Sequence, residues 1–338
     1  MIIDVHGHYT TAPTELRQWR NRQKDANAPI SDALNITDDQ IRETIEQGQL
    51  KFIKERGADL TLFSPTAGGM EHHVGSPEVS LQWTRTVNDL IHRVCTLFPD
   101  NFVGVCQLPQ SPGVSPKNCI EELERCVTQY GFVGCNINPD PTDGYWTDPP
   151  MTNIWWYPLY EKMVELQVPG MIHVSGSCNP NFHGTGAHYI NGDTSTFMQF
   201  ILSDLFKQFP DLRLVIPHGG GAVPYHWGRY RGIAQDAGRP PIETLMNNVC
   251  FDTCVYGYKG TETLVQEVGA DSVIFASEMI GAVKSIDPRS GHYFDDTKRY
   301  IDALTWLSAQ DRTKIFEGNA MRVYPRLAET LAKRKAAV

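Results

Sequence analysis

The sequence predicts a single α/β domain, residues 1–338, that folds as a (β/α)8 TIM barrel with long loops at the carboxyl ends of the strands. Eight short apolar runs have strand character, and longer amphipathic stretches separate them, which is the pattern of βα units around a parallel sheet. Eight strands close such a barrel, and chains of this length commonly form it as one domain. The predicted strands are residues 2–5, 60–63, 102–106, 132–137, 170–174, 212–216, 249–252 and 273–276.

The stretches between the strands predict helices. One begins with Thr37-Asp38-Asp39-Gln40, a capping box in which the Thr37 and Gln40 side chains satisfy free backbone amides, and it should continue to about Glu55. We expect the last twenty residues to form a helix that frays into a disordered tail. The other predicted helices cover residues 77–97, 116–129, 155–166, 195–209, 261–268 and 296–307.

Three polar segments, rich in glycine and proline, are too long to be minimal connections. They cover residues 11–35, 138–152 and 178–194, and each follows the carboxyl end of a predicted strand. Barrel enzymes place the loops that build their sites at this end of the strands. We therefore expect these segments to surround a functional site.

The composition excludes several classes of function. The chain has 30 Lys and Arg against 39 Asp and Glu, a net charge of −9, and its only local basic cluster is residues 333–335. Binding to nucleic acid or to an anionic membrane needs a basic surface, so we expect neither. The start of the chain lacks a signal-peptide pattern, and no apolar run approaches the ~20 residues of a membrane span. The eight cysteines are scattered without a CxxC pair, so we expect a cytoplasmic protein with reduced thiols.

Side chains that can bind a metal stand at the ends of four predicted strands. His6 and His8 end the first strand, where side chains two residues apart share a face. His173 ends the fifth strand, His218 the sixth, and Glu278 follows the eighth. Each residue alone could be a surface or hydrogen-bonded core residue. The carboxyl ends of barrel strands open onto one mouth, however, so their shared placement favours a metal site.

The residue types indicate which metal this site would bind. Two or three imidazoles with one carboxylate and an open position suit Zn²⁺, and Mn²⁺, Fe²⁺ or Co²⁺ are also compatible. The fourth strand ends near Asn136 and Asn138, with no lysine that could bridge a second ion. We therefore predict one ion per chain.

These residues together resemble a known family. The His6-Gly7-His8 start, His173, the His218-Gly219-Gly220-Gly221 segment, the carboxylate after the eighth strand and residues 318–322 look like the amidohydrolase superfamily, in its branch related to aminocarboxymuconate-semialdehyde decarboxylase. The resemblance covers essentially the whole chain. The branch usually has Asp where this chain has Glu278. That departure, with residues 68–75 and 136–141, is similar to the 4-oxalomesaconate hydratases of the protocatechuate 4,5-cleavage pathway in aromatic and lignin degradation.

The resemblance implies an activity and a set of roles. Water would add to the conjugated C=C bond of a tricarboxylic 2-oxo acid, with zinc supplying hydroxide or holding the developing enolate oxygen. The implied zinc ligands are His6, His8, His173 and Glu278, with His218 nearby as a polar or acid–base group. Because Glu is one methylene longer than Asp, Glu278 could bind the metal, transfer the proton, or do both.

Three substrate carboxylates need cations or hydrogen-bond donors. The candidates are His72, His73, Asn138, Tyr189, Asn191, Arg229 and Lys284, although each could also be an ordinary loop or surface residue. In the related decarboxylases an arginine placed like Arg229 reaches into the neighbouring subunit's site. The resemblance therefore implies a homodimer or a higher homo-oligomer.

Other functions predict other observations. The runner-up is a metal-dependent decarboxylase of an aromatic or muconate-type carboxylate, and hydrolysis of an amide or lactone comes third. A barrel that kept only a binding role would have a broken ligand set, whereas all four ligand positions are present. Glycines 219–221 match neither GxGxxG nor the Walker pattern, so they predict a tight turn rather than a phosphate loop.

Overall fold

A sheet of eight parallel strands forms the centre of the computed structural model, which describes residues 1–336 and the side chains of residues 1–333. The strands are β1 Ile3–His8, β2 Leu60–Ser64, β3 Phe102–Cys106, β4 Gly134–Ile137, β5 Gly170–Ile172, β6 Leu214–Ile216, β7 Val249–Asp252 and β8 Val273–Ile274. Each strand pairs with the next in chain order. The Val5 N–H donates to the Phe275 carbonyl (3.1 Å) and the Glu278 N–H to the His6 carbonyl (2.9 Å). These bonds join the two ends of the sheet, and the predicted barrel is confirmed.

The strands are short and apolar because they are covered on both faces. All eight are buried along their whole length. A parallel sheet with helices outside and packed side chains inside has no solvent face, so its strands do not alternate in polarity. The polar residues that β1 nevertheless buries, among them His6 and His8, therefore need partners inside the barrel.

Helices surround the sheet. They are α1 Thr14–Ala26, α2 Asp38–Gln47, α3 Gln49–Arg56, α4 Pro77–Leu97, α5 Ile120–Gln129, α6 Tyr157–Leu166, α7 Tyr189–Ile201, α8 Leu205–Gln208, α9 Trp227–Asp236, α10 Tyr258–Val268, α11 Lys298–Asp302, α12 Ala309–Thr313, α13 Asn319–Val323 and α14 Pro325–Ala336. A short antiparallel pair, β9 Ile286–Asp287 and β10 His292–Tyr293, follows β8. In the described part of the chain no helix is both long and apolar enough to cross a membrane.

Several helix predictions are confirmed. The α4 bounds match the prediction, and the capping box forms, since Gln40 N–H donates to Thr37 Oγ1 (3.2 Å) and Thr37 N–H donates to Gln40 Oε1 (2.8 Å). The helix after this box does not run unbroken to Glu55, because Gly48 leaves helical backbone angles and separates α2 from α3. The expected C-terminal helix is α14, and residues 337–338 of the expected tail lie outside the described residues.

Three predictions of local structure are wrong. The polar segment 11–35 contains α1, and only residues 298–302 of the predicted helix 296–307 are α-helical. The helix expected at residue 195 begins at Tyr189, so Asn191-Gly192-Asp193 lies inside a helix and not in a turn. A Cβ at Gly192 would lie 2.6 Å from Val174 Cγ1. Glycine stands there because the helix backbone packs closely against the residues after β5, and this tertiary reason is invisible in the local sequence.

Candidate metal centre and active site

Three imidazole rings converge inside the carboxyl end of the barrel. The Nε2 atoms of His6 and His8 are 2.9 Å apart, and those of His8 and His173 are 3.3 Å apart. With a carboxylate oxygen of Glu278 they form a buried group of ligand atoms that all lie within 4.8 Å of one another. The predicted convergence of these strand ends is confirmed.

A hydrogen bond fixes the far side of each ring. His6 Nδ1–H donates to Asp252 Oδ2 (2.8 Å), His8 Nδ1–H donates to Ser64 Oγ (2.8 Å), and His173 Nδ1–H donates to the Val174 carbonyl (2.8 Å). With the proton on Nδ1, each ring turns its Nε2 lone pair toward the others. Burial also lowers the pKa of His8 and of His173, which keeps these rings neutral. Three facing lone pairs beside a carboxylate repel one another unless a cation lies among them, so the donor set fits a divalent metal ion.

Asp252 supports this cluster, and sequence reasoning missed it. Its second oxygen, Oδ1, accepts the backbone N–H groups of Gly219 (3.1 Å) and Cys254 (3.0 Å). Burial opposes its charge, but the hydrogen bonds that it accepts from His6 and from the Cys254 N–H help to outweigh burial and lower the pKa of the carboxyl. Asp252 ends β7, so the rule that singled out the other strand ends could have found it.

His218 lies beside the cluster and is held by a carboxylate of its own. Its Nδ1–H donates to Asp193 Oδ2 at 2.9 Å, while its buried Nε2 has no hydrogen-bond partner among the described residues. Burial lowers the pKa of this ring, but Asp193 outweighs burial and raises it to about 9. The nearest carboxylate oxygen to its Nε2 is Glu278 Oε2, at 3.9 Å. His218 therefore presents a free N–H toward the interior of the site. The three glycines after it all have positive φ, which confirms the predicted tight turn.

Glu278 has a partner that the sequence did not suggest. The Tyr256 hydroxyl donates to Glu278 Oε2. Burial and the Glu278 charge raise the pKa of the Tyr256 phenol, so this hydroxyl stays protonated. Tyr256 lies four residues beyond the end of β7, in a segment with no motif around it.

Of the two candidates placed on α7, one reaches the site. The Tyr189 ring is buried, and its centroid lies 5.0 Å from that of His173 and 5.2 Å from that of His218. Asn191 is exposed on the same helix. Both were expected in a loop, and the helix places their side chains on different faces.

His72, His73 and Asn138 form a separate network. His72 Nδ1 accepts from Asn138 Nδ2 (3.0 Å), which also donates to Asp143 Oδ1 (3.2 Å), and His73 Nδ1–H donates to Asp143 Oδ2 (2.6 Å). Burial lowers the pKa of His72 to about 3 and raises that of Asp143 to about 6. The network joins the segments after β2 and β4, and the Glu71 N–H ties it to Ser175 Oγ after β5 (2.7 Å). His73, the partly exposed member, is open to a ligand.

The two predicted cations lie on the surface of this chain. Arg229, in the first turn of α9, and Lys284, between β8 and β9, are both exposed. Neither forms an ion pair within the described residues. A cavity of about 270 Å³ is lined by His218 and by Tyr225. Tyr225 is 80% exposed and precedes Arg229 by four residues in the sequence. Asn136 lies on β4, where the sequence has no lysine that could bridge a second ion. Its side chain donates to Ser64 Oγ (3.2 Å) and so supports the hydroxyl that holds His8.

Comparisons with known proteins agree with this geometry. The chain matches the amidohydrolase family model over residues 3–326. It is 56% identical to the 2-keto-4-carboxy-3-hexenedioate hydratase of Sphingobium sp. (strain NBRC 103272 / SYK-6), over 99% of both chains. The solved structure of the 4-oxalomesaconate hydratase of Rhodopseudomonas palustris is 55% identical, with a TM-score of 0.93 over 100% of both chains. The gamma-resorcylate decarboxylase of Rhizobium sp. (strain MTP-10005) is 25% identical, over 83% of this chain and 87% of its own.

Proposed function

The chain belongs to the amidohydrolase family, and from this premise we propose that it is an enzyme, a hydratase of the 4-oxalomesaconate hydratase type. Its substrate is 2-keto-4-carboxy-3-hexenedioate, the isomer of 4-oxalomesaconate in which the C=C bond is conjugated with the ketone. The observation that carries the proposal is 56% identity to a hydratase of that substrate along 99% of both chains. We place the reaction in the protocatechuate 4,5-cleavage route of aromatic and lignin degradation. We also keep the expectations of one domain over residues 1–338 and of a cytoplasmic location.

The substrate's name defines the chemistry that the site must perform. The molecule has a ketone at C2, a double bond between C3 and C4, and three carboxylates. In the hydration the oxygen of water bonds to C4, the π electrons shift toward C3 and the ketone, and a proton reaches C3. The site must therefore deprotonate water, stabilise charge on the ketone oxygen, and deliver one proton to carbon.

The residues that would hold a divalent ion are His6, His8, His173 and Glu278, and we propose that the ion is a single Zn²⁺. When bound, the ion supplies Lewis acidity, which acidifies water and stabilises negative charge on oxygen. Support comes from the three Nδ1–H hydrogen bonds, because they hold the Nε2 lone pairs toward one another before any ion is present. Mn²⁺, Fe²⁺ and Co²⁺ can bind the same nitrogen and oxygen ligands.

Two residues are placed to move protons. We assign Glu278 as the general acid–base group that exchanges a proton with water and with C3, because its carboxylate adjoins both the metal cluster and His218. We assign His218 as the group that donates a hydrogen bond to the ketone oxygen, because its Nε2 has no other partner among the described residues. Asp193 holds this ring in place through Nδ1.

The substrate carboxylates need further donors. Tyr189, which lies against His173 and His218, and the network of His72, His73 and Asn138 are the candidates inside this chain. Asn191, Arg229 and Lys284 are exposed and do not belong to the buried ligand group. We propose a homodimer or higher homo-oligomer in which Arg229 serves the neighbouring site.

The hydratase and a decarboxylase of the same family differ in their products. Purified protein would be analysed for metals and assayed with 2-keto-4-carboxy-3-hexenedioate by loss of the conjugated absorbance, with mass spectrometry of the product. We expect about one zinc per chain, loss of absorbance, and a product heavier by one water. Release of CO₂ from the substrate would replace the hydratase with the decarboxylase, whose relatives share 25% identity with this chain.

A further inference from the structure

The side chain of Glu278 adjoins two residues that have no role in the function proposed above. On one side is the Tyr256 hydroxyl, which donates to Oε2. On the other is Gly281, where a Cβ would lie 2.3 Å from the Glu278 carbonyl oxygen, 2.9 Å from its Cγ and 3.2 Å from its Cδ. All three distances are shorter than ordinary contacts. No larger residue fits at position 281 while Glu278 keeps this position.

The backbone of Glu278 is anchored independently of these contacts. Its N–H donates to the His6 carbonyl at 2.9 Å, so it is tied to the strand that carries two of the ring ligands. The preceding residue, Ser277, donates its N–H to Asp4 Oδ1 (3.1 Å) and its hydroxyl to Asp4 Oδ2. The residue itself has a φ of +55°, a conformation that side chains seldom adopt and that the surrounding structure must hold. The freedom that remains is rotation of the side chain.

A glutamate in this position has three rotatable bonds, and its two oxygens are chemically equivalent until something distinguishes them. Tyr256 distinguishes them, because it donates to Oε2, which is also the oxygen 3.9 Å from His218 Nε2. Tyr256 has a φ of +58° and follows β7, the strand beside β8, so the two backbones hold the phenol and the carboxylate face to face. Oε1 is left without this contact.

We propose that Tyr256 is a positioning residue that holds Glu278 Oε2 on the His218 side, so that Oε1 serves the metal cluster, and that the lack of a side chain at Gly281 leaves room for Glu278 in this position. Tyr256 acts through Glu278 and does not touch the substrate. The inference goes beyond the hydratase assignment, which needs a carboxylate at position 278 but does not say what orients it. Its kinetic consequences rest on that assignment, whereas its consequence for metal binding does not.

Tyr256→Phe removes the hydroxyl alone, and Tyr258→Phe is the matched control. Tyr258 lies two residues away, and its hydroxyl donates to Glu262 on its own helix (3.1 Å) and not to a metal ligand. Loss of a group that orients a metal ligand typically costs about 10–100-fold in affinity or activity. We therefore expect Tyr256→Phe to weaken Zn²⁺ binding by about tenfold or more and to lower kcat, with KM within about twofold of wild type.

The experiment measures Zn²⁺ affinity of the full chain by competition with a chromophoric chelator, and kcat and KM with 2-keto-4-carboxy-3-hexenedioate. Wild-type Zn²⁺ affinity in Tyr256→Phe would overturn the proposal, as would an equal loss in Tyr258→Phe. Tyr256→Met also removes the hydroxyl and has a flexible side chain that can fill the space, so it should likewise weaken Zn²⁺ binding and decides the question if Tyr256→Phe does not fold. If wild-type protein fails to hydrate the substrate, the hydratase assignment fails, but the affinity comparison still tests Tyr256.

Discussion

The Nδ1–H of His6 donates to Asp252 Oδ2 at 2.8 Å, and both side chains are fully buried. This bond joins β1 and β7, two strands far apart in the sequence, at the metal cluster. Since Asp252 Oδ1 is occupied by two backbone N–H groups, the carboxylate has one oxygen left and directs it at His6. The orientation of this ring thus depends on a residue that does not itself contribute to the four-ligand set.

Asp252→Asn should weaken metal binding while it preserves the size of the side chain. The amide can still accept one bond, but the negative charge that favours the Nδ1–H tautomer and raises the basicity of Nε2 is lost. We expect Zn²⁺ affinity to fall about 10–100-fold. Competition with a chelator measures this, and Asp211→Asn, at an exposed position, is the control. Affinity equal to wild type in Asp252→Asn would show that the bond does not orient the ring.

Removal of the metal should abolish turnover and lower thermal stability. Without a cation the three Nε2 lone pairs and the Glu278 carboxylate face one another in a buried space. Binding to the folded state alone raises stability by about 2.7 kcal/mol when free metal is 100 times its Kd. Calorimetry of chelator-treated protein with and without added Zn²⁺ measures the effect. The double variant His6→Ala with His8→Ala should lose the Zn²⁺-dependent rise in Tm, and full zinc occupancy in that variant would refute the site.

Glu278→Gln should leave a folded protein with little activity. The amide has the same shape and can still accept the Tyr256 hydrogen bond, but it cannot carry a proton between water and C3. Loss of general acid–base catalysis typically costs about 10²–10⁴-fold in rate, and we expect kcat to fall within this range. Steady-state kinetics and the Tm of the two proteins are the measurements. A kcat close to wild type would remove Glu278 from the proton transfer.

His72 should make stability fall as the pH drops below neutrality. Burial lowers its pKa to about 3, from a usual value of 6.5 in the unfolded chain. Below pH 6.5 the unfolded state therefore binds a proton that the folded state refuses, and stability is lost by up to about 1.4 kcal/mol per pH unit. Between pH 6.5 and 5, wild type should lose stability relative to His72→Gln. Urea unfolding at several pH values measures this, with the exposed His226→Gln as control. A stability difference between wild type and His72→Gln that does not change with pH would contradict a buried, neutral His72.

Arg229 should act across a subunit interface. We expect Arg229→Ala to lose most activity and Arg231→Ala, an exposed arginine on the same helix that pairs with Glu243, to keep it. Arg229→Ala and Glu278→Gln chains, expressed together, would form mixed dimers with one complete site each. Random pairing then restores about a quarter of wild-type activity. A mixture no more active than its two components would place Arg229 outside the neighbouring site.

The sequence predicted the barrel and its strand ends well because both follow simple rules. A run of apolar residues buried on both faces marks a parallel strand, and the residue just beyond it lies at the mouth. This reasoning located His6, His8, His173, His218 and Glu278, and the structure brings all five together. Asp252 was not singled out, although it ends β7 and the same rule applies to it.

The rest of the site depends on contacts between distant segments. Asp193 was missed, and Tyr189 was expected in a loop, because Asn191-Gly192-Asp193 has the composition of a turn. Only packing against Val174 explains a glycine inside α7. Tyr256 has no neighbouring motif, and its role follows from the pairing of β7 with β8. The helix α1 was missed because a polar, proline-flanked stretch carries little periodic signal.

Proton NMR of the reaction in D₂O tests the hydratase assignment most directly. Incubation of the zinc-loaded enzyme with 2-keto-4-carboxy-3-hexenedioate should remove the vinyl signal at C3, introduce one deuterium at C3, and give a hydroxyl at C4 with all three carboxylates retained. Loss of a carboxylate as CO₂, or an unchanged vinyl signal after prolonged incubation with fully loaded enzyme, would contradict it.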